Sequence, residues 1–356
     1  MSLAIGIVGC GAVSRIYYAG ALAALAREDP EVQVSALFDP QESALHPMAA
    51  LFPKATAHRT WDSFRAATPD LAIVASPPAY HAQQAVELLE AGAAVLCEKP
   101  LASSLAEAEA IVAAAERPGA VLAVGMVRRY LPAAKAIRWL LRSGALGALQ
   151  RIRWLEGGRF RWPVESLDYF RPEVGGVLSD IGVHVLDLLQ WWLGPLALES
   201  YADDRAGGIE ANCLIRLRHG DDAEIAVRLT RDDDPPTLCR IDCERGTILW
   251  REGHPTDIEV LPGRMNDKDA SLLSLMTAAQ AEVGSFERSF VAQLQDLIAA
   301  RRRGGQAPVT ARSALAAVAL IDACHAARRS LPMPWLTPEE DEAYAQLAGS
   351  GPEAAP

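Results

Sequence analysis

The stretch Ala4-Ile5-Gly6-Ile7-Val8-Gly9-Cys10-Gly11-Ala12-Val13-Ser14 joins an apolar run, two closely spaced glycines and the opening of an alanine-rich segment. Its pattern predicts a strand over Ala4–Gly9 and a helix over Ser14–Ala26, with the glycines at the turn between them. The first glycine permits a tight turn. The second lets the backbone approach a pyrophosphate, which then sits on a helix N-terminus. Ser14 stands where a third glycine is usual and is small enough to keep the helix near the strand. Gly9, Gly11, Ala12 and Val13 are therefore the candidate phosphate-binding backbone. The next strand, Val32–Phe38, ends at Asp39, where a carboxylate can accept hydrogen bonds from the adenosine ribose hydroxyls. Its charge disfavours a 2′-phosphate and Pro40-Gln41 bring no arginine, so the expected cofactor is NAD rather than NADP.

Working outward, short apolar runs at Leu71–Ala75, Ala94–Cys97 and Val121–Val124 alternate with helical patterns at Tyr80–Glu90 and Leu105–Glu116. Strands buried on both faces read as continuous apolar runs, as Leu71-Ala72-Ile73-Val74-Ala75 does. Beyond about residue 147 the period changes to two. Ile152 and Trp154 alternate with Arg151 and Arg153, and Ile225, Val227 and Leu229 with Glu224 and Arg228. That is the pattern of a largely antiparallel sheet with one polar face. Two helices, Ser285–Arg302 and Ala311–Arg329, follow. The expected fold is α/β: a Rossmann domain with a doubly wound parallel sheet over 1–125, then a substrate and oligomerisation domain over 126–335. The latter carries a large, mostly antiparallel open sheet, and residues 336–356 form a tail. An open sheet face needs a cover, and a homo-oligomer is the simplest one.

Composition narrows the partners. The 356 residues carry a net charge of −11, which argues against nucleic-acid binding, a process that needs clustered cations. No long uncharged apolar run suggests a membrane span. The N-terminus runs directly into the first strand without a cationic leader, which together with scattered cysteines predicts a cytoplasmic protein. Cys239 and Cys243 alternate with the strand period and lack a matching pair, so core packing is expected and no metal site.

Two segments carry candidate chemistry. Glu98-Lys99-Pro100 ends a strand at the carboxyl edge of the sheet, where open α/β folds bind ligands. Gly175-Gly176-Val177-Leu178-Ser179-Asp180-Ile181-Gly182-Val183-His184 begins a helix that places Asp180 and His184 four residues apart on one face. Gly182 inside that helix implies close approach by another group. A histidine's unperturbed pKa lies near neutrality, which suits His184 to general acid/base work; Asp180 can orient it or contact substrate, and Lys99 can stabilise charge on a reacting oxygen.

With these segments in hand, the chain resembles the Gfo/Idh/MocA family (glucose-fructose oxidoreductase, inositol dehydrogenase, rhizopine catabolism). The resemblance spans about residues 3–335. It rests on Gly9-x-Gly11, Ser76-Pro77-Pro78-x-x-His81, Glu98-Lys99-Pro100, Arg128-Arg129-Tyr130 and Gly175-Gly176…Asp180-x-x-x-His184-x-x-Asp187. It implies NAD(P)-linked oxidation or reduction of a sugar, polyol or similar metabolite by a homodimer or homotetramer formed through the second sheet. Lys99, Asp180 and His184 take the catalytic positions. Ser76, Pro78, His81 and Glu98 fall along the cofactor cleft, with Arg128 and Tyr130 near cofactor and substrate. Trp162, Tyr169 and Phe170 are further pocket candidates. The glycine run before the helix is often three long in the family and here reads Gly175-Gly176-Val177, a change near the substrate floor. Two alternatives keep the same fold: a glycosidase or epimerase that retains NAD and works through a transient ketone, and an NAD-binding regulatory protein without turnover.

Overall fold

The computed structural model describes residues 2–163, 170–171, 175–220, 222–251, 256–263, 286–332 and 337–339. The chain divides into two compact units. Met1–Tyr130 and Gly284–Val318 form most of the first, Leu131–Trp162, Leu167–Val283 and Ala319–Pro356 the second. Sequence patterning alone sets the boundary near residue 125 and assigns everything up to 335 to the second part; the packing instead gives the first unit a C-terminal contribution.

The first unit begins with β1 (Leu3–Val8), a wide π-type turn (Ser14–Tyr18) and α1 (Ala19–Glu28). β2 (Val32–Phe38), α2 (Glu42–Leu51), β3 (Thr56–His58) and α3 (Trp61–Arg65) come next. β4 (Leu71–Val74), α4 (His81–Glu90), β5 (Ala94–Cys97), α5 (Leu105–Ala115) and β6 (Leu122–Val124) complete the alternation. The sheet order is β3-β2-β1-β4-β5-β6, and every neighbouring pair is parallel. This is the doubly wound Rossmann order, in which the chain reverses direction across the sheet between β1 and β4. The continuous apolar strands are buried throughout, β4 and β5 along their whole length, because helices cover both faces.

The second unit opens with α6 (Pro132–Ser143), which starts on a proline and stops at Gly144, whose φ of 66° is the left-handed value that ends helices. Its long strand β7 (Leu149–Gly157) is followed by a π-type turn (Leu178–Gly182) and α7 (Val183–Leu193). β8 (Ala197–Asp203), β9 (Asn212–His219), β10 (Ala223–Thr230), β11 (Leu238–Cys243), β12 (Gly246–Arg251) and β13 (Ile258–Pro262) follow. With β14 (Arg328–Ser330) they form an eight-stranded sheet in the order β13-β12-β11-β7-β10-β9-β8-β14. It is mixed: β7/β10 and β8/β14 are parallel, the other pairings antiparallel. The period-two residues Ile152, Trp154, Ile225, Val227, Leu229, Cys239, Ile241 and Cys243 are all buried on one face. Three tryptophans anchor this core. Trp154 stacks on Trp192 at 5.5 Å, both pack edge-on against Trp250, and the Trp192 indole N–H donates to the Ala134 carbonyl at 3.0 Å. An indole buried this deeply needs such an acceptor.

The expected helix at Ser285–Arg302 is α8 (Phe286–Arg303), and the last is α9 (Ala311–Ala326). α8 docks on the first unit through aromatic residues. Phe290 stacks on Tyr17 at 4.7 Å and meets Tyr18 edge-on at 5.3 Å, while Phe286 packs against Tyr17. At its far end Arg302 pairs with Asp29 at 2.8 Å. No described helix is long and apolar enough to cross a membrane.

Candidate active site

The turn after β1 is built as its glycines require. Gly9 has φ +87°, and a Cβ there would lie 2.6 Å from the backbone of Ala75 and Ser76. The loops after β1 and β4 thus close on each other at the point where the strand order reverses. Ser14 does more than stay small: it is fully buried, and its hydroxyl donates back to the Gly9 carbonyl at 2.5 Å. Asp39 is drawn into the same turn. One carboxylate oxygen accepts the Cys10 N–H at 2.9 Å and the other accepts the Gln41 N–H at 2.8 Å. Each oxygen keeps a further lone pair for a ribose hydroxyl. Burial pushes the Cys10 thiol up to about 12, with the Asp39 charge adding to the effect, so Cys10 is packing and not a nucleophile. A close-approach glycine, a helix start including Ala12 and Val13, and an oriented carboxylate fit a dinucleotide.

A second corner joins the ends of β4 and β5. His81 is wholly buried, its Nε2 2.8 Å from the Ser76 carbonyl and its Nδ1 3.0 Å from the Pro100 carbonyl. It therefore pins the Ser76–Pro78 turn to the Lys99–Pro100 turn, whose peptide bond is cis. Burial lowers its pKa, partly offset by the carbonyls around it. The Ser76 hydroxyl donates to the Gln84 side chain at 2.5 Å, and Pro78 starts the short turn into α4. Glu98 is buried too. It accepts the Tyr18 hydroxyl at 2.5 Å and the Lys99 N–H at 2.9 Å. Burial raises the pKa of Glu98, and both hydrogen bonds work against that rise. Lys99 itself is half-buried beside this carboxylate. Arg128 is half-buried on the turn after β6, whereas Tyr130 is nearly enclosed, with burial and the neighbouring Asp296 carboxylate pushing its pKa upward. Tyr130 thus belongs to the packing under α8 more than to an open pocket.

In the second unit, the π-type turn changes the reading of the Asp180–His184 segment. A widened turn holds more residues than an α-turn, so a spacing of four comes closer to alignment than in a regular helix. His184 is buried and Asp180 half-buried. The Asp180 carboxylate forms a short ion pair with the Arg231 guanidinium, which also lies 5.7 Å over the Phe160 ring. Sequence reasoning missed Arg231. It directly follows β10, and only the fold brings that strand end to the start of α7. The residues after Arg231 are tied down by side-chain hydrogen bonds: Asp232 accepts from Thr230 at 2.8 Å and from Asn212 at 2.7 Å, and Asp234 from Arg161 at 2.8 Å. Gly182 does meet a close neighbour, but it is packing: a Cβ there would lie 3.0 Å from Leu229 on β10. Beneath the helix start sits Glu210, 2% exposed, accepting the Leu178 N–H at 3.0 Å. A Cβ on Gly176, which has φ +95°, would be 2.2 Å from that carboxylate. Burial pushes Glu210 up to about 7. Trp162 and Phe170 are exposed, Phe170 against Phe160 at 5.8 Å, and Tyr169 lies outside the described residues.

Residues 3–126 match the oxidoreductase family with an NAD-binding Rossmann fold, and residues 134–249 match the GFO/IDH/MocA C-terminal domain. Myo-inositol dehydrogenase Hyg17 of Streptomyces leeuwenhoekii is 30% identical over 264 residues, 74% of this chain and 75% of that protein. The chain belongs to the Gfo/Idh/MocA oxidoreductase family. D-apiose dehydrogenase of Paraburkholderia graminis is 30% identical over 257 residues, 67% of this chain. Rhizopine catabolism protein MocA of Rhizobium meliloti is 29% identical over 191 residues, 53% of this chain. The matched stretches span 66% and 57% of the lengths of these two relatives. The WlbA dehydrogenase of Bordetella pertussis, solved with NADH and UDP-GlcNAcA, shares the fold. Its TM-score is 0.79 at 20% identity, over 92% of this chain and 95% of that one. Residues 3–126, which contain the glycine loop and Asp39, are thus the NAD-binding Rossmann domain of a Gfo/Idh/MocA protein.

Proposed function

We propose that this Gfo/Idh/MocA protein is an NAD-dependent dehydrogenase that interconverts a secondary alcohol and a ketone on a sugar or polyol, with Lys99, Asp180 and His184 as its catalytic group. The observation that carries the proposal is the Asp180–Arg231 ion pair at the head of the helix that bears His184. An acid buttressed in this way is a fixed reference point beside a candidate proton carrier, which a helix built only for packing does not need. When bound, NAD supplies the hydride acceptor. The backbone of Gly9, Gly11, Ala12 and Val13 holds its pyrophosphate, and the Asp39 carboxylate accepts its ribose hydroxyls. Ser76, Pro78, His81, Glu98 and Arg128 shape the cleft for it.

The imidazole of His184 takes the proton from the substrate hydroxyl during oxidation and returns it during reduction. The Lys99 ammonium donates to the same oxygen and stabilises negative charge as it develops there. Asp180, steadied by Arg231, accepts from a neighbouring substrate hydroxyl and sets the orientation of the ring. Polyols and sugars are the substrates named for myo-inositol dehydrogenase and D-apiose dehydrogenase, which makes myo-inositol and D-apiose the first compounds to assay. The outer face of the eight-stranded sheet, with Leu214 and Leu261 exposed, is where we place a second copy of the chain; light scattering on the purified protein would read its mass.

The test is NADH formation from NAD across a panel of polyols and sugars, repeated with His184→Asn. Turnover is expected to fall about 10²- to 10⁴-fold in the variant, with NADH affinity nearly unchanged. Equal turnover in variant and parent removes His184 from the chemistry. NAD that co-purifies and is never released as NADH identifies the cofactor-retaining alternative instead.

A further inference from the structure

We infer that Tyr18 and Gln293 are positioning residues for the Glu98–Lys99 corner: a hydrogen-bonded chain from α8 through the Tyr18 hydroxyl fixes the Glu98 carboxylate and, through it, the backbone that carries Lys99. The inference rests on the catalytic reading of Lys99 only for its functional consequence.

The chain has one polarity. A carboxylate can only accept, so the Tyr18 hydroxyl donates to Glu98 at 2.5 Å, and the Gln293 amide nitrogen donates to the Tyr18 oxygen at 3.2 Å. The other oxygen of Glu98 accepts the Lys99 N–H at 2.9 Å. Tyr18 and Gln293 are 0% exposed and Glu98 8%. The carboxylate cannot drift, because it packs on Gly125: a Cβ there would fall 2.8 Å from it. Gln293 sits on α8 among Phe290, Leu294 and Leu297, where an amide is costly to bury; its nitrogen has the Tyr18 oxygen, while its Oε1 has no hydrogen-bond partner among the described residues. A phenylalanine and a leucine at 18 and 293 would pack this interior at least as well, so the polar pair serves the carboxylate. Among the described residues the titratable groups facing Glu98 are Tyr18 from the π-type turn before α1, Cys97 from its own strand and Lys99 beyond it. α8 contributes the neutral Gln293, and the turn after β6 contributes the backbone of Gly125.

Tyr18→Phe and Gln293→Met in the full chain test this. Amide hydrogen exchange is the first readout, because it needs neither cofactor nor substrate. The Lys99 amide is expected to exchange about tenfold faster in Tyr18→Phe, the effect of losing one hydrogen bond to a charged group, while Val95 and Leu96 in β5 stay as protected as before. Gln293→Met moves the same amide by a smaller factor, and the double variant is no worse than Tyr18→Phe, since one chain is broken only once. In turnover with the best polyol, Tyr18→Phe lowers kcat about tenfold with KM changed less than about threefold. An unchanged Lys99 amide, or β5 amides that accelerate in step with it, overturns the inference. If the exchange result holds while the parent protein turns over no sugar or polyol, the corner is positioned as stated and the dehydrogenase reading is what fails.

Discussion

Replacing Glu210 by glutamine perturbs the carboxylate under the start of the Asp180–His184 helix. In the folded protein Glu210 is pushed from 4.5 to about 7 by burial, against the hydrogen bond from Leu178. The folded state therefore keeps this proton when the unfolded chain has released it. The stability from that retained proton is fully present below pH 4.5 and is lost as pH rises toward about 7. At 1.36 kcal/mol per pH unit the full loss is about 3 kcal/mol, of which less than about 1 kcal/mol has gone by pH 5 and nearly all by pH 8. Glutamine cannot titrate, but its side-chain oxygen can still accept from Leu178. Urea unfolding of both proteins from pH 5 to pH 8, followed by tryptophan fluorescence, reads the effect where it arises. Trp154, Trp192 and Trp250 lie together in the core of the same unit. Relative to the parent, Glu210→Gln is expected to gain about 2–3 kcal/mol across that range, whatever constant offset the substitution brings. Parallel stability curves would refute the reasoning, because they would mean that Glu210 ionises alike in the folded and unfolded chain.

Asp39→Ala is expected to weaken NADH binding by about tenfold and NADPH much less, measured by fluorescence titration, since the carboxylate is proposed to read a ribose hydroxyl and would repel a 2′-phosphate. Gly9→Ala puts a methyl within 2.6 Å of the Ala75–Ser76 backbone at a positive φ, so NADH affinity should fall below detection and thermal unfolding should occur several degrees lower. Arg231→Met removes the partner of Asp180 and keeps much of the apolar contact with Phe160. Turnover should drop at least about tenfold while NADH affinity holds, and unchanged kinetics would deprive the ion pair of a functional role.

Much of the fold could be read from local pattern. Apolar runs such as Leu71–Val74, the glycine turn and Asp39 describe a Rossmann unit because each depends on neighbours close in sequence. Alternation in β7, β10 and β11 likewise identifies the inner face of the second sheet, since side chains along a strand point alternately to its two faces. What stayed hidden depends on distant partners. Nothing local in Phe286 or Phe290 says that α8 docks on Tyr17 and Tyr18, which is why the patterning boundary near 125 differs from the packed units. The Asp180–Arg231 pair and Glu210 under Gly176 join segments that only the strand order brings together. Gly182 advertised a close neighbour, but sequence cannot tell a leucine from a ligand.

Lys99 and His184 are proposed to act on one proton-coupled hydride transfer, and single-turnover kinetics of Lys99→Met, His184→Asn and the double variant, with NAD and the most rapidly oxidised polyol, address that point head-on. Each single change should slow NADH appearance by about 10²-fold or more, and the double variant should be little slower than the worse single one, because residues serving one step are not additive. Losses that multiply, or a single variant that keeps the parent rate, would contradict a shared step for these two residues.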